Sequence, residues 1–305
     1  MDKSEVTLER MRSFVRVAER GNFSAVAREQ GVGQATISRH VAELERALGT
    51  TLINRTTRHL TLTPEGTRYH QDARDILSRV EEAGDGVHQA TESLAGSIRI
   101  SCTAALAIRH VAPALFAFQD QHPNVAIDFN VSDVRIDLVQ EAADIAIRLG
   151  RLEDSSMHRK FVGSSRRVLV ASREYIARHG SPDSPDDLRH HRAIRMSNVA
   201  DSGTLVLRGP GQSIASVPFG GQLLVDHGLA AREAVAHGRG IAPTHLWLID
   251  DLIESGAVEV VLPGYAPEPV PLSILIVPGR LRIQRIRLLV DELTSFLREL
   301  PGIHV

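Results

Sequence analysis

The sequence predicts a multidomain fold: an all-α winged helix-turn-helix domain at residues 1–63, a long linker helix at 64–94, and a two-lobed α/β domain at 95–305. Three observations predict it. Two short helical patterns flank a tight turn at residues 23–48, an apolar 4-3 spacing runs along the linker, and strands alternate with helices in the remainder. A chain of 305 residues is long enough for two or three domains.

The segment from Phe23 to Leu48 has the pattern of two helices joined by a tight turn. Gly31 lies where that turn requires a positive φ, which glycine adopts without a Cβ clash. Ile37, Val41 and Leu44 recur at i, i+4 and i+7 and predict the buried stripe of the second helix. The opposite face is short and polar with one long cation, so we interpret it as a face that enters a DNA major groove.

The polar face of this second helix holds the residues expected to contact DNA. Gln34 suits bidentate pairing with adenine, and Arg39 suits either a guanine edge or a phosphate. Neighbouring cations and hydroxyls suit phosphate contacts, including cations of a hairpin predicted from residue 50 to about residue 63. The predicted set is Arg28, Gln34, Ala35, Thr36, Ser38, Arg39, Arg55 and Arg58. Because the formal net charge is −2, DNA affinity has to come from this local placement.

The linker helix is predicted to begin at Thr63 and Pro64, as N-cap and first helical residue. Apolar or small residues then keep a 4-3 spacing that is typical of a coiled coil. This seam consists of Tyr69, Ala73, Ile76, Val80, Ala83, Val87, Ala90 and Leu94. Since no segment nearby in the sequence can cover so long a stripe, we interpret it as a dimerisation helix. The alternative is a helix that lies on its own domain.

Alternation of strands and helices after Gly96 predicts an α/β fold with a largely parallel sheet. Strands are predicted at residues 98–101, 125–131, 144–148, 168–171, 204–207, 213–217 and 272–277. Helices are predicted at 108–121, 135–142, 173–179, 226–237, 245–254 and 282–298. Prolines divide the region into lobe 1 at about 96–162 and 270–305 and lobe 2 at about 163–269, with crossings near 162–166 and 264–271.

Composition and motifs exclude several functional classes. The opening residues contain no apolar signal region and no apolar run approaches the length of a membrane span, so we expect neither secretion nor a membrane location. A single cysteine, Cys102, fits the reducing cytoplasm. The histidines lack the spacing of a metal site, and no phosphate loop, nucleophile elbow or dinucleotide fingerprint is present. We therefore expect a protein that is not an enzyme.

Four segments indicate a family. They are FSAVAREQGVGQATISRHVAELERALGTTLINRTTRHLTLTPEG at 23–66, GSIRIS at 96–101, DIAIRLG at 144–150 and HGRGIAP at 237–243. With them the whole chain resembles a LysR-type transcriptional regulator. The resemblance implies a dimerising linker and an effector domain similar to periplasmic binding proteins, usually within a tetramer. It implies no cofactor. The expected partners are double-stranded promoter DNA, further copies of the chain, a small organic effector and RNA polymerase.

Two further segments resemble the CrgA-like branch of that family. They are SPDSPDDLRHHRAI at 181–194 and THLWLIDDLIESGAVEVVLPGY at 244–265. The tail LSILIVPGRLRIQRIRLLVDEL at 272–293 departs from the branch, where an aromatic strand end and a different basic stretch are usual. Because of this departure, the identity of an effector does not transfer to this chain.

The effector pocket is expected where parallel strands end and helices begin, since backbone N–H groups are available there. By resemblance the pocket is lined by Ser101, Cys102, Thr103, Ser132, Asp133, Arg148, Met196, Asp201 and His227. Arg148 suits either a ligand carboxylate or a salt bridge to Asp133 or Asp144. The predicted function is transcription regulation modulated by this effector. The alternatives are a ligand-independent architectural DNA binder and a redox sensor acting through Cys102.

Overall fold

The computed structural model describes residues 6–55, 60–88, 94–133, 143–150, 157–197 and 203–305. The chain divides into two compact units, residues 1–93 and residues 94–305. Within the described ranges, no helix combines the length and the apolar character needed to cross a membrane.

The first unit is a small helical domain with a two-stranded wing. Its elements are α1 (Leu8–Arg20), α2 (Phe23–Glu29), α3 (Gln34–Leu48), β1 (Ile53–Arg55), β2 (Leu60–Leu62) and α4 (Pro64–His88). The predicted stripe of α3 is confirmed, because Ile37, Val41 and Leu44 are fully buried in the core between α1 and α3. The predicted hairpin is confirmed as well, with Ile53 opposite Leu62 in an antiparallel pair.

Two glycines have the conformational roles that this domain requires. Gly31, in the turn before α3, has a φ of 67° as predicted. Gly66 lies in the first turn of α4, where a Cβ atom would be 2.0 Å from the carbonyl oxygen of Leu52. The helix therefore begins against the backbone that leads into β1. Thr63 caps it as predicted, since its Oγ1 accepts a hydrogen bond from the Gly66 N–H at 2.9 Å.

The predicted seam of α4 is divided between two environments. Tyr69 and Ala73 pack against the core of their own domain, together with Leu77 from outside the seam. Ile76 and Val80 are 41% and 40% exposed. The helix is described as far as His88, whereas the linker was predicted to continue to residue 94. Leu94 instead packs against the core of the second unit, and seam position 90 lies outside the described residues.

Lobe 1 of the second unit is built around a six-stranded sheet of order β16-β6-β15-β5-β3-β4. Its first elements are β3 (Gly96–Cys102), α5 (Ala104–Leu106), a π-helical turn (Ala107–Val111), α6 (Ala112–Gln121), β4 (Val125–Val131), β5 (Ile145–Leu149) and β6 (His158–Ser165). The chain returns to it from lobe 2 as β15 (Val270–Ile276), a 3₁₀ turn (Arg280–Arg282), α10 (Gln284–Arg298) and β16 (Ile303–His304). The predicted helix at 135–142 lies outside the described residues.

Lobe 2 contains two three-stranded sheets, of order β12-β7-β13 and β10-β9-β14, and the two-stranded pair β11-β8. Its first elements are β7 (Arg167–Ser172), α7 (Arg173–His179), a 3₁₀ turn (Pro185–His190), β8 (Ile194–Met196), β9 (Thr204–Arg208), a 3₁₀ turn (Pro210–Gln212) and β10 (Ile214–Pro218). The remaining ones are β11 (Leu223–Val225), α8 (Gly228–Ala236), β12 (Ala242–His245), α9 (Leu246–Glu254), β13 (Val258–Val261) and β14 (Ala266–Pro267).

The prediction of a largely parallel sheet is wrong. In lobe 1, β3 is parallel to β4 and β5, but β15 is antiparallel to both β5 and β6, and β16 is antiparallel to β6. In lobe 2, both neighbours of β7 are antiparallel to it. The lobe 1 pattern follows from the connectivity. Because the chain leaves lobe 1 along β6 and returns along β15 at the same end of the sheet, these two strands run in opposite directions.

A cluster of side chains joins the lobes where the chain crosses, and we call it the inter-lobe clasp. Trp247, in the first turn of α9, is 1% exposed and packs within the core of lobe 1. Its carbonyl oxygen accepts a hydrogen bond from His110 Nε2 at 2.9 Å. Arg109 of lobe 1 and Arg232 of lobe 2 pair with Asp251 at 3.0 and 2.6 Å. Hydrogen bonding from Arg232, with Arg109 nearby, lowers the pKa of Asp251 to about 2.

Candidate nucleic-acid interface and effector cleft

The N-terminal half of α3 presents the predicted DNA-reading face to solvent. Gln34, Ala35 and Arg39 are exposed, whereas Thr36 and Ser38 are half-buried at the edges of the buried stripe. No side chain caps the helix, which begins after Gly33, so its first N–H groups point outward as potential donors to phosphate oxygens. The geometry is that of a helix whose first turns are available to a groove.

Gln34 is held in place by a neighbour that the sequence did not indicate. Ser24, in the first turn of α2, donates a hydrogen bond from its hydroxyl to Gln34 Oε1 at 2.8 Å. This contact leaves the amide Nε2 as a donor and one lone pair of Oε1 as an acceptor, which is the pair of groups that adenine requires. A serine at this position therefore orients the side chain before it meets a base.

A buried polar contact sets the orientation of α3 against α1. Ser13 on α1 is fully buried, and its hydroxyl lies 2.9 Å from Nδ1 of His40 on α3. The same hydroxyl lies 3.4 Å from Gln30 Oε1 at the end of α2. Helices α1, α2 and α3 thus meet at this hydroxyl, on the side of α3 opposite its exposed face.

The other predicted DNA contacts differ in how they are placed. Arg28 is exposed in the last turn of α2, on the element that precedes the turn. Arg55 ends β1, opposite Leu60, so its backbone is part of the wing. Arg58 lies outside the described residues.

The candidate effector cleft lies where β3, β4 and β5 end side by side, at the edge of lobe 1 that faces lobe 2. The Ser132 N–H donates to the Cys102 carbonyl at 3.0 Å and holds the two strand ends together. Asp133 Oδ1 accepts from the Ala104 N–H at 2.8 Å, at the start of α5. Thr103 and Ser132 are both half-buried beside it. These contacts place hydroxyl, carboxylate and backbone groups at one edge, as predicted for this end of the sheet.

His227 brings lobe 2 to this edge. It precedes α8, and its Nδ1 accepts a hydrogen bond from the Leu229 N–H at 3.2 Å. The ring proton is therefore assigned to Nε2, which lies 3.5 Å from Asp133 Oδ2. Asp133 and His227, more than ninety positions apart in the sequence, thus face each other from opposite lobes.

Ser101, Cys102 and Arg148 are all buried where β3 and β5 end. Cys102 is fully buried in the apolar core of lobe 1, on the same strand face as Ile98 and Ile100. Arg148 is 9% exposed and donates to Ser101 Oγ at 2.6 Å and to the Ile147 carbonyl at 3.3 Å. Asp144, one of its predicted salt-bridge partners, pairs with Arg280 at 3.0 Å.

The two remaining predicted pocket residues belong to lobe 2. Met196 ends β8, is half-buried and packs against the core between β7, β8 and α8. Asp201 lies outside the described residues. Of the predicted set, Asp133 and His227 are brought together from opposite lobes, with Thr103 and Ser132 next to Asp133 at the strand ends.

A chain of buried polar groups near the crossing was not predicted from the sequence. Trp247 Nε1 donates to Ser165 Oγ at 3.0 Å, and this hydroxyl lies 2.8 Å from Nδ1 of His245. The imidazole of His245 stacks on the indole, with ring centroids 5.3 Å apart. Ser165 ends β6 in lobe 1 and His245 ends β12 in lobe 2, so the chain of hydrogen bonds spans the crossing. The lone tryptophan was the signal that could have pointed to it.

His245 makes the stability of this unit depend on pH. Burial, with Arg167 nearby, lowers the pKa of its imidazole to about 3, so the folded state holds it neutral. The unfolded chain binds a proton below a pH of about 6.5, hence stability is full above that pH and falls as the pH is lowered. We expect the free energy of unfolding to fall by about 2 kcal/mol between pH 6.5 and pH 5 from this group alone. Urea denaturation over this range measures it.

The matched control for this pH dependence is an exposed histidine of the same lobe. His245→Gln is expected to flatten the dependence of unfolding free energy on pH, whereas His237→Gln is expected to leave it as in the unsubstituted chain. An equal slope in the chain and in His245→Gln would show that His245 is not the titrating group.

Together these features define a class of protein: a DNA-reading domain joined to a two-lobed ligand-binding domain, as in ligand-responsive transcription regulators. The profile "Bacterial regulatory helix-turn-helix protein, lysR family" matches residues 8–67, and "LysR substrate binding domain" matches residues 91–298. The chain therefore belongs to the LysR family of transcriptional regulators, with an N-terminal DNA-binding domain and a C-terminal effector-binding domain.

Relatives of the same family align over most of the chain. An HTH-type transcriptional regulator of Xanthomonas campestris pv. campestris is 33% identical over 287 residues, covering 93% of this chain and 83% of the relative. CrgA of Neisseria meningitidis is 31% identical over 249 residues, covering 81% and 82%. The solved structure of CrgA superposes with a TM-score of 0.61 at 27% identity, covering 95% of this chain and 98% of CrgA. LysR regulators bind DNA and small-molecule effectors and oligomerise.

Proposed function

We propose that this chain reads promoter DNA with the first turns of α3 and that a small organic effector between the lobes alters this binding. The observation that supports the proposal most strongly is the division of α3 into a fully buried stripe and an exposed face with Gln34 and Arg39. Arg28 and the wing arginines Arg55 and Arg58 are assigned to phosphates, which position the domain without reading sequence.

The active form is proposed to be a homodimer that pairs further into a tetramer. Ile76 and Val80 on the exposed side of α4 support a helix pair, because their apolar side chains are only partly covered within one chain. Two copies related by a two-fold axis would read two half-sites about one helical turn apart. The proposed location is the cytoplasm, and the proposed protein partner is RNA polymerase at the regulated promoter.

The proposed effector site is centred on Asp133 and His227. Since the two side chains come from different lobes, a molecule that contacts both favours one arrangement of the lobes over another. Thr103 and Ser132 add hydroxyl groups that donate and accept hydrogen bonds. This set suits a small polar organic molecule with both donors and acceptors. Met196 offers an apolar contact from lobe 2.

The redox alternative is disfavoured by the surroundings of Cys102. Burial raises the pKa of its thiol to about 12, so the reactive thiolate is scarce at neutral pH. The sulfur is also within the apolar core, away from solvent-borne oxidants. A plain structural role in the core of lobe 1 accounts for this residue.

The effector site is tested by ligand screening of the full chain followed by substitution. We expect at least one compound in a panel of organic acids and aromatic metabolites to raise the melting temperature, because a ligand of the native state stabilises it. His227→Gln and Asp133→Asn are each expected to weaken that compound at least about tenfold, equivalent to about 1.4 kcal/mol. Promoter binding without the compound should stay unchanged in both variants.

His237→Gln, at the other end of α8, is the control and should bind the compound as the unsubstituted chain does. If no compound stabilised the chain and mass spectrometry found no co-purified ligand, effector sensing would be refuted and an architectural DNA binder would be favoured. Turnover of the compound by the purified chain would contradict its assignment as an effector.

A further inference from the structure

A second concave surface lies on lobe 1, at the opposite end of its sheet from the effector cleft. It has a volume of about 570 Å³ and lies where β6 begins and β15 ends. The strand register fixes its place: His158 lies opposite Ile276, whereas Leu272, nearer the cleft, lies opposite Leu149. We call this surface the basic pocket, because its lining includes His158, Arg159, Lys160, Arg282 and Arg287.

The positive charge of the basic pocket is only partly neutralised by the protein. Lys160 pairs with Asp291 on α10 at 2.7 Å, and Arg159 Nε donates to Ser273 Oγ at 3.0 Å. Arg282 and Arg287 are exposed, and within the described ranges neither forms an ion pair. Their guanidinium groups are therefore available to a ligand, and each offers the planar fork of donors that matches an oxyanion.

Arg282 and Arg287 place two positive charges at the positive end of the α10 dipole. This helix begins at Gln284, and the preceding Ile283 offers no side-chain acceptor to its first N–H groups. Arg282 lies just before the helix and Arg287 in its first turn, so both face its positive end. Cations are unfavourable at this end of a helix and anions favourable. A sequence that concentrates cations there lowers its own stability, and a bound anion would reverse the effect.

The floor of the basic pocket is apolar. Ile276 is nearly fully buried at the end of β15, and Leu281 is 36% exposed in the 3₁₀ turn that leads to α10. Cationic groups around an apolar floor suit a ligand with an oxyanion at one end and a carbon skeleton or ring at the other. The volume lies within the range of about 300–1,000 Å³ found for small-molecule sites.

From this arrangement we infer a second ligand site on lobe 1, distinct from the effector cleft, which binds organic anions with phosphate or paired carboxylate groups. The ligand's oxyanion lies between Arg282 and Arg287, near the positive end of α10. Its apolar part lies on Ile276 and Leu281. The inference does not depend on Asp133 or His227, so a negative result for one of the two sites leaves the proposal for the other unaffected.

Calorimetric titration of the full chain with inorganic phosphate, pyrophosphate, citrate and phenyl phosphate tests the inference. We expect saturable binding of one ligand per chain, tighter for phenyl phosphate than for inorganic phosphate because of the apolar floor. Arg282→Gln/Arg287→Gln is expected to weaken it at least about tenfold, and Arg239→Gln, an exposed arginine of lobe 2, to leave it unchanged. Ligand should also slow hydrogen exchange in a peptide over residues 279–291.

Thermal melting separates loss of the site from loss of the fold. Without ligand, Arg282→Gln/Arg287→Gln should melt at a higher temperature than the unsubstituted chain, because it removes cations from the positive end of α10. The inference is overturned by an absence of saturable binding, or by equal affinity in the double variant. It is also overturned if that variant loses affinity for DNA while retaining affinity for the small anions.

Discussion

Replacing Gln34 and Arg39 together with alanine is expected to lower the affinity for a selected promoter fragment at least about thirtyfold. Each bidentate base contact contributes about 1–3 kcal/mol of discrimination, and two such losses give at least this factor. Both side chains are exposed on α3, so their truncation leaves the core of the domain intact. Fluorescence anisotropy with a labelled fragment, at fixed salt concentration, measures the change.

Single variants then separate base reading from backbone contact. If Arg39 reads a guanine, Arg39→Ala weakens binding to the promoter fragment more than to unrelated DNA, whereas an equal loss on both assigns it to phosphate. Ser24→Ala should have a smaller effect in the same direction as Gln34→Ala, because it removes the contact that orients Gln34. Arg46→Ala, in the last turn of the same helix, is the matched control and should bind nearly normally.

The second large effect is expected at the inter-lobe clasp. Trp247→Ala should lower the free energy of unfolding of the effector-binding unit by about 3–5 kcal/mol, the range for large aromatic truncations in cores. The indole is 1% exposed within the core of lobe 1 and donates a hydrogen bond to Ser165 Oγ, so its loss leaves a cavity and removes one of the two hydrogen bonds of that hydroxyl. Because Trp247 is the one tryptophan of the chain, urea denaturation is followed by circular dichroism.

Trp247→Phe is the matched control for this effect. It keeps an aromatic ring in the core and removes chiefly the hydrogen bond to Ser165 Oγ, so we expect a smaller loss than for alanine. A loss below about 1 kcal/mol in Trp247→Ala would contradict the clasp, since burial of that ring would then contribute little to joining the lobes.

The DNA-binding domain was predictable because its elements are local. The i, i+4 and i+7 spacing on α3, the turn at Gly31 and the cap at Thr63 each depend on residues within a few positions, and the structure confirms all three. The hydrogen bond from Ser24 to Gln34 could not be predicted from the sequence. A serine in the first turn of a helix has no local feature that distinguishes it from other surface serines.

The effector-binding unit was less predictable because its contacts join distant segments. The direction of β15 depends on where the chain returns from lobe 2, which no local pattern reports. Asp133 and His227 meet only after both lobes have folded. The core-facing orientation of Cys102 could have been predicted, however. Ile98, Ile100 and Cys102 occupy every second position of β3 and therefore share the face that packs in the core.

Footprinting of genomic fragments retained by the purified full chain, with and without the effector identified by screening, tests promoter reading through α3. We expect protection of two symmetric half-sites about one helical turn apart, an altered pattern when effector is present, and no protection by the Gln34→Ala/Arg39→Ala variant. Protection without two-fold symmetry, or unchanged protection by that variant, would contradict promoter reading through α3.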